Sequence, residues 1–264
     1  MFPSKLDTPV GYKFEREPAH SMTARKKHFE TIYRNFNASI SEKYDCGQFC
    51  APLNNGDPVC CDVENAIPAA SPPEWKVIKK RTNLWKKYKP DPDDKHAVAE
   101  VKDINETCVA CVCKGAAKCE RDNRLMACRS FPFFPYLTKE GEFIGLGYYW
   151  IFEDRCWVIS NLQIVEHAFV KEFVDAYQML IDVDEGEYEA FLEQSAQMRR
   201  IFSRRNEIIP IIDREGGYLK VLPKSGGKVE VADVNEFSKF GPFVSDKAYK
   251  KEVKRMEKIF AEID

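Results

Sequence analysis

Along several stretches of this 264-residue chain, apolar residues return every three or four positions, the spacing of one face of an α-helix. Phe29, Ile32, Tyr33, Phe36 and Ile40 follow it from about Ser21, in a helix expected to end before Cys46. Ser71-Pro72-Pro73-Glu74 reads as a helix start, with Ser71 as cap, proline in the first turn and Glu74 completing a capping box. Trp75, Ile78, Thr82, Trp85 and Tyr88 then mark one face, up to Pro90 and the Asp-Pro-Asp-Asp run. Ser160-Asn161-Leu162-Gln163 reads as a second capping box, opening a helix with Val165, Phe169, Phe173, Tyr177 and Leu180 inward. A further helix follows Gly186, with Tyr188, Phe191, Leu192, Met198, Ile201 and Phe202 apolar. The last runs from Ser245 through Val253, Met256, Ile259 and Phe260.

Between these stretches the pattern changes. Phe131 to Leu137 and Glu142 to Phe152 are aromatic and β-prone, and Lys139-Glu140-Gly141 separates them, which predicts a β-hairpin. Residues 208–212 and 218–222 predict another around Glu215-Gly216-Gly217, with a third strand over 228–232. Residues 97–104 fit a short strand or a helical turn equally well. The expected fold class is α+β, a mainly helical single domain with short antiparallel hairpins and a loop-rich cysteine cluster. An extended arm over 1–20 carries Pro3, Pro9 and Pro18. A cysteine region follows over 21–160, and a helical region with a small hairpin over 161–264 packs on it. The stretch most like a linker is 224–244.

Charge removes some classes of partner. The net charge is −2, so no global positive excess is available for nucleic acid or an anionic membrane surface. Lys79-Lys80-Arg81, Arg199-Arg200 and Arg204-Arg205 fall on predicted helices and read as solvated faces. The N-terminal residues lack an apolar signal core, and no apolar run approaches the length of a bilayer span. A cytoplasmic location is therefore expected, and in a reducing compartment ten cysteines are not expected to pair as disulfides.

Nine of the cysteines fall in two groups: Cys46, Cys50, Cys60 and Cys61, then Cys108, Cys111, Cys113, Cys119 and Cys128; Cys156 stands apart. Thiolates are soft anionic ligands suited to zinc and to iron–sulfur iron, and a tetrahedral site takes four. Cys108-x2-Cys111, Cys111-x-Cys113 and Cys46-x3-Cys50 let single loops present several sulfurs. Adjacent Cys60 and Cys61 would point apart in an extended backbone, serving different sites or leaving one as a small packed hydrophobe. Ten thiols allow two four-ligand sites, or one cluster with packing cysteines. His20, His28, His96 and His167 share no ligand spacing with the cysteines, which removes mixed zinc sites and leaves an all-cysteine one. No HExxH, dinucleotide fingerprint or nucleophile elbow is present, and Gly226-Gly227-Lys228 is not a complete phosphate loop.

A CC pair after spaced cysteines, followed by C-x8-C-R-x-F-P-F, resembles the CxxCxxCC cysteine-cluster family of zinc- or iron-chelating proteins, whose relatives include flagellin lysine N-methylase. Cys46, Cys50, Cys60 and Cys61 match the opening motif in order. Cys119, Arg124, Cys128, Arg129, Phe131, Pro132 and Phe133 match the closing one. Cys113, or Cys111, matches the intermediate cysteine, and Cys156 a later one. The insert between Cys50 and Cys60 is longer than the family's, Asp122 and Leu125 replace its tyrosine and proline, and Cys108 and Cys111 are additional. The resemblance covers about residues 44–160.

The resemblance implies a metal centre, with a cysteine-held iron–sulfur cluster (4Fe-4S) favoured over zinc. Two other readings stand beside it, the first implied by the resemblance and the second by the cysteines themselves. One is a protein lysine N-methyltransferase-like enzyme using S-adenosylmethionine, or a redox enzyme, acting on a protein substrate. The other is a structural all-cysteine zinc module presenting the helical half to a protein partner. Arg124 and Arg129 flank Cys128. Their guanidinium groups would offset the negative charge of a thiolate cluster and raise its reduction potential, while Phe131, Phe133 and Phe134 keep water away.

Overall fold

The computed structural model describes residues 23–237 and 246–263, so the predicted arm over 1–20 and part of the predicted linker lie outside the described residues. Fold class is as the sequence pattern predicts: α+β and mainly helical, with two small antiparallel sheets. The first is three-stranded, in the order β1 (Ala69–Ala70), β3 (Val109–Val112), β2 (Lys86–Lys87). The second is five-stranded and runs in chain order through β4 (Phe133–Leu137), β5 (Phe143–Tyr148), β6 (Ile209–Asp213), β7 (Tyr218–Val221) and β8 (Val229–Ala232). The two predicted hairpins and the third strand thus join in one sheet through the pairing of Gly145 with Asp213 and Leu146 with Ile212.

Helices α6 (His167–Val183) and α7 (Glu185–Arg205) cover this sheet. Phe169, Phe173, Tyr177 and Leu180 are buried at the helical spacing the sequence shows, and they meet Phe36 and Phe133 in a continuous aromatic core. The outer edge of β4 is closed by α7. The Leu137 N–H donates to Ser195 Oγ at 2.9 Å, and Arg199 Nη1 donates to the Leu137 carbonyl at 2.6 Å. A sheet edge covered in this way offers no free ladder to another chain. At β5, a Cβ on Gly145 would lie 2.1 Å from the Ile212 carbonyl oxygen. Gly145→Ala should therefore pry β5 from β6 and lower the unfolding free energy by about 1–3 kcal/mol in a denaturant titration.

Several boundaries differ from the sequence reading, each for a local reason. The first helix, α1, is Lys26–Asn35, shorter than the apolar spacing suggests. Helix α3 is Pro72–Arg81 and does not reach Trp85 or Tyr88. Thr82 takes an extended backbone, and its hydroxyl accepts the Leu84 N–H at 3.0 Å while donating to Glu120 at 2.6 Å, which offers the chain an alternative to another helical turn. Ser71 caps α3 as predicted, but Glu74 does not complete a capping box, because its carboxyl turns into the core. Residues 97–104 belong to helix α4 (Lys95–Thr107), with Asp94 accepting the His96 and Ala97 N–H groups. The Ser160 capping box does not form a helix start: residues 159–164 are 3₁₀-helical, with Asn161 out of helical geometry and bonded to the Trp157 carbonyl, and α6 begins at His167. The last helix, α8, spans Asp246–Ile263. No helix among the described residues is long and apolar enough to cross a membrane.

Candidate metal centre

The segment leading to the first cysteines is laid along α6 by two carboxylates. Glu172 accepts the Asn37 and Ala38 N–H groups, both at 2.6 Å, and Glu166 accepts the Glu42 N–H at 2.6 Å. The chain then turns into a short helix, α2 (Cys46–Cys50), with Asp45 accepting the Gly47 N–H. Where the sequence suggests a loop over 46–70, the structure has helical turns. Cys60 and Cys61 lie on one 3₁₀ turn (Val59–Cys61), so the expectation that their side chains point apart from an extended backbone is corrected. Each thiol is the other's leading electrostatic neighbour.

Four side chains tie this region together without any sulfur. Asn54 donates to Asp62 at 3.2 Å, and Asn65 donates to Asn54 and to Asp62, both at 2.9 Å. Arg155, beside Cys156, donates to Asn65 at 2.9 Å. An aromatic wall stands alongside: Phe49 stacks on Trp157 with ring centres 4.1 Å apart, and Tyr44 and Tyr249 pack on Phe49.

From the second group, Cys113 follows β3 and accepts the Gly115 N–H at 3.4 Å. Cys119 follows a 3₁₀ turn and is exposed. Cys128 lies on α5 (Met126–Ser130). The two groups meet. Burial, then the negative charges of Cys61 and Cys113, push the Cys128 thiol up. Burial, then Cys61 and Cys113 opposed by Arg124, push Cys119 up. Burial, then Cys50 and Asp45, push Cys46 up to about 11. Neighbouring Cys61, then burial, then Cys128 and Cys46, push Cys60 up, while Cys60 and Arg124 pull Cys61 down against its burial. Buried Cys156 is pushed up by burial and feels Cys46 and Cys50. Cys60 and Cys128 also line one cavity. Cys46, Cys50, Cys60, Cys61, Cys113, Cys119, Cys128 and Cys156 therefore share one neighbourhood.

Arg124 is the cation common to Cys46, Cys61, Cys119 and Cys128. Backbone N–H groups favour the thiolates as well, from Val59 to Cys50 and from Ile159 and Val158 to Cys156. Arg129 goes elsewhere. It is buried, its guanidinium donates to the carbonyls of Phe36, Asp122 and Arg124, and it lies over the Tyr33 ring. Cys108 and Cys111 also sit apart from Arg124. Cys111 is fully buried on β3 and its thiol donates to the Val109 carbonyl at 3.1 Å. Burial, then Glu74, pushes it up to about 12. Burial pushes Cys108 up, opposed by the Thr107 hydroxyl, which donates to its sulfur at 3.9 Å, and joined by Glu187, Glu74 and Asp184.

Among the described residues, no three His, Cys, Asp or Glu side chains form a ready metal cage. Cys50 directs its thiol at the Gly47 carbonyl at 3.7 Å, a bond that only a protonated sulfur can donate. The donor set still fits a soft metal by its chemistry: sulfur only, partly desolvated, with the Arg124 guanidinium among the thiols and the Gly115 N–H donating to Cys113. The sequence motifs do not reveal Glu74, the Asn54–Asp62–Asn65–Arg155 knot or the cavity beside Cys60. The run Asn54-Asn55-Gly56-Asp57 signals a turn, but nothing in it signals which side chains meet. No family model, curated protein or solved structure matches this chain.

Proposed function

We propose that this chain is a cysteine-cluster metal-binding protein of the CxxCxxCC kind, holding an iron–sulfur cluster through thiolates drawn from the group around Arg124. The observation that carries this reading is the meeting of sulfurs from three separate segments, 46–61, 119 and 128, around the Arg124 guanidinium, with Cys156 beside Cys46 and Cys50. Packing alone gives no reason to gather thiols and a cation. A cluster of thiolates does, because its negative charge is costly to bury without a countercharge and N–H donors. Loading would take protons off the thiols and turn Cys50 from its carbonyl toward the centre.

Metal and acid-labile sulfide analysis of protein prepared without oxygen tests the reading. Iron with comparable sulfide and visible charge-transfer absorption is the expected result. Zinc without sulfide would favour the all-cysteine zinc alternative, and neither metal would end both. Arg124 and Arg129 also separate. Arg124→Gln should lower the reduction potential of the cluster, since a positive neighbour that favours the reduced, more negative state is gone. Arg129→Gln should change thermal stability more than potential, and redox titration of the two variants checks the contrast. A cavity opening on two of the sulfurs favours an enzyme over a purely structural zinc module, because a structural site is closed by its own ligands.

A further inference from the structure

Beside the cysteine group lies a cleft of about 330 Å³, at the small end of the range for ligand pockets. Cys60 and Cys128 are in its wall. Most of the rest is apolar: Ile67, Pro68, Phe131, Tyr149 and Phe152, with Ile151 at the edge. Ile151 is 62% exposed, one of few large apolar side chains left in water. Phe131 and Phe152 meet edge to face with centres 4.9 Å apart, so the wall is built of packed rings. The polar side chains are Asn65 and Glu100.

Carboxylates gather on one side of the opening. Glu100 lines the cleft, and Glu100, Glu64, Asp62 and Asp94 all act on the same phenol, Tyr88. Asp62 is bound to Asn65, itself in the wall. Two arginines come near: Arg155 reaches Asn65 but is matched by Asp154 at 2.8 Å, and Arg124 faces the sulfur side, where it acts on Cys46, Cys61, Cys119 and Cys128. An anionic ligand would meet carboxylates on entry, while a neutral or cationic one would not.

We infer that this cleft is a binding site for a small molecule with an apolar, ring-sized body and a neutral or positively charged end, brought against Cys60 and Cys128. The inference deepens the metal reading, since the ligand would meet the cluster at the cleft wall, but binding itself requires only the cleft. Three aromatic walls and an exposed isoleucine supply apolar area, and the acidic surroundings select the charge.

The test uses the full chain and three probes with one indole body: indole, tryptamine and indole-3-acetate. Binding is followed by calorimetry in metal-loaded and metal-free protein. Alkylation of Cys60 and Cys128 by N-ethylmaleimide is read residue by residue in the metal-free form, with exposed Cys119 as the internal reference. Tryptamine and indole should bind at least tenfold tighter than indole-3-acetate and slow alkylation of Cys60 and Cys128 but not of Cys119. Glu100→Lys should narrow or reverse the charge preference, and Ile151→Asp should weaken all three probes; both positions are exposed, and the fold should tolerate the changes. Equal binding of the anionic probe, or protection of none of the wall cysteines, overturns the inference. Probe binding by protein that never takes metal supports the cleft and tells against the cluster alone. Metal-loaded protein indifferent to all three probes overturns the cleft and leaves the cluster standing.

Discussion

Cys128→Ser protein should purify with most of its metal missing, at least tenfold below the parent chain, while Cys108→Ser and Cys111→Ser keep theirs. Cys128 has Cys61 and Cys113 as charged neighbours and shares a cavity with Cys60, so it stands where the two sequence groups meet. A serine oxygen is a harder donor with a much higher pKa and does not replace a thiolate on a soft metal. Burial and carboxylates, with no arginine among the leading causes, set Cys108 and Cys111, and the Cys111 thiol is already committed to the Val109 carbonyl. Parallel metal analysis of the three variants checks the contrast. Equal loss in all three would mean that the centre includes the Cys108–Cys111 end.

The second large effect is on stability. Glu74 is 3% exposed, and its Oε1 accepts from the Tyr33 hydroxyl at 2.8 Å and the Met126 N–H at 2.7 Å. Glu74→Ala leaves both buried donors without a partner and opens a cavity, at a cost of about 3–5 kcal/mol. Glu74→Gln keeps an acceptor oxygen and should cost much less. The two variants also separate by pH. Burial, opposed by those hydrogen bonds, pushes the Glu74 carboxyl up to about 7 from an ordinary 4.5. A raised carboxyl means that the folded chain holds a proton the unfolded chain has released. Its contribution is complete below about pH 4.5 and fades as pH rises through about 7. Glu187 adds a shift in the same direction, up to about 7, by burial and by Asp184 and Glu74. Denaturant midpoints should therefore fall between pH 5 and pH 8, and Glu74→Gln should flatten that slope by up to about 3 kcal/mol.

Elements with a strong period were readable. The inward face of α6 lies where its helical spacing places it, because it buries one face; the two hairpins and the third strand lie where β-prone runs broken by turn residues place them. Local hydrogen-bonding chemistry defeated the rest. Thr82 and Asn161 each offer the backbone a side-chain partner that a periodicity count does not see. Glu74 looks like a capping residue because Ser71 stands three positions earlier, yet Tyr33 and the start of α5 claim its carboxyl. Of the candidate site, the residue types were legible and the grouping only in part. Spacing alone could not show that Cys111 would turn from Cys113 into the core, since neighbours two apart on a strand share a face until the strand ends. Arg124 and Arg129 look equivalent beside Cys128, and only the carbonyls of Phe36 and Asp122 divide them.

The Asn54–Asp62–Asn65–Arg155 knot bears on the order of assembly. Amide and carboxylate side chains fasten the first cysteine loop to the segment beside Cys156, so the scaffold has its shape before any inorganic guest arrives. On the proposed reading, insertion becomes a late step that asks only for local turns of thiols such as Cys50, and a chelator should bleach the protein without unravelling it.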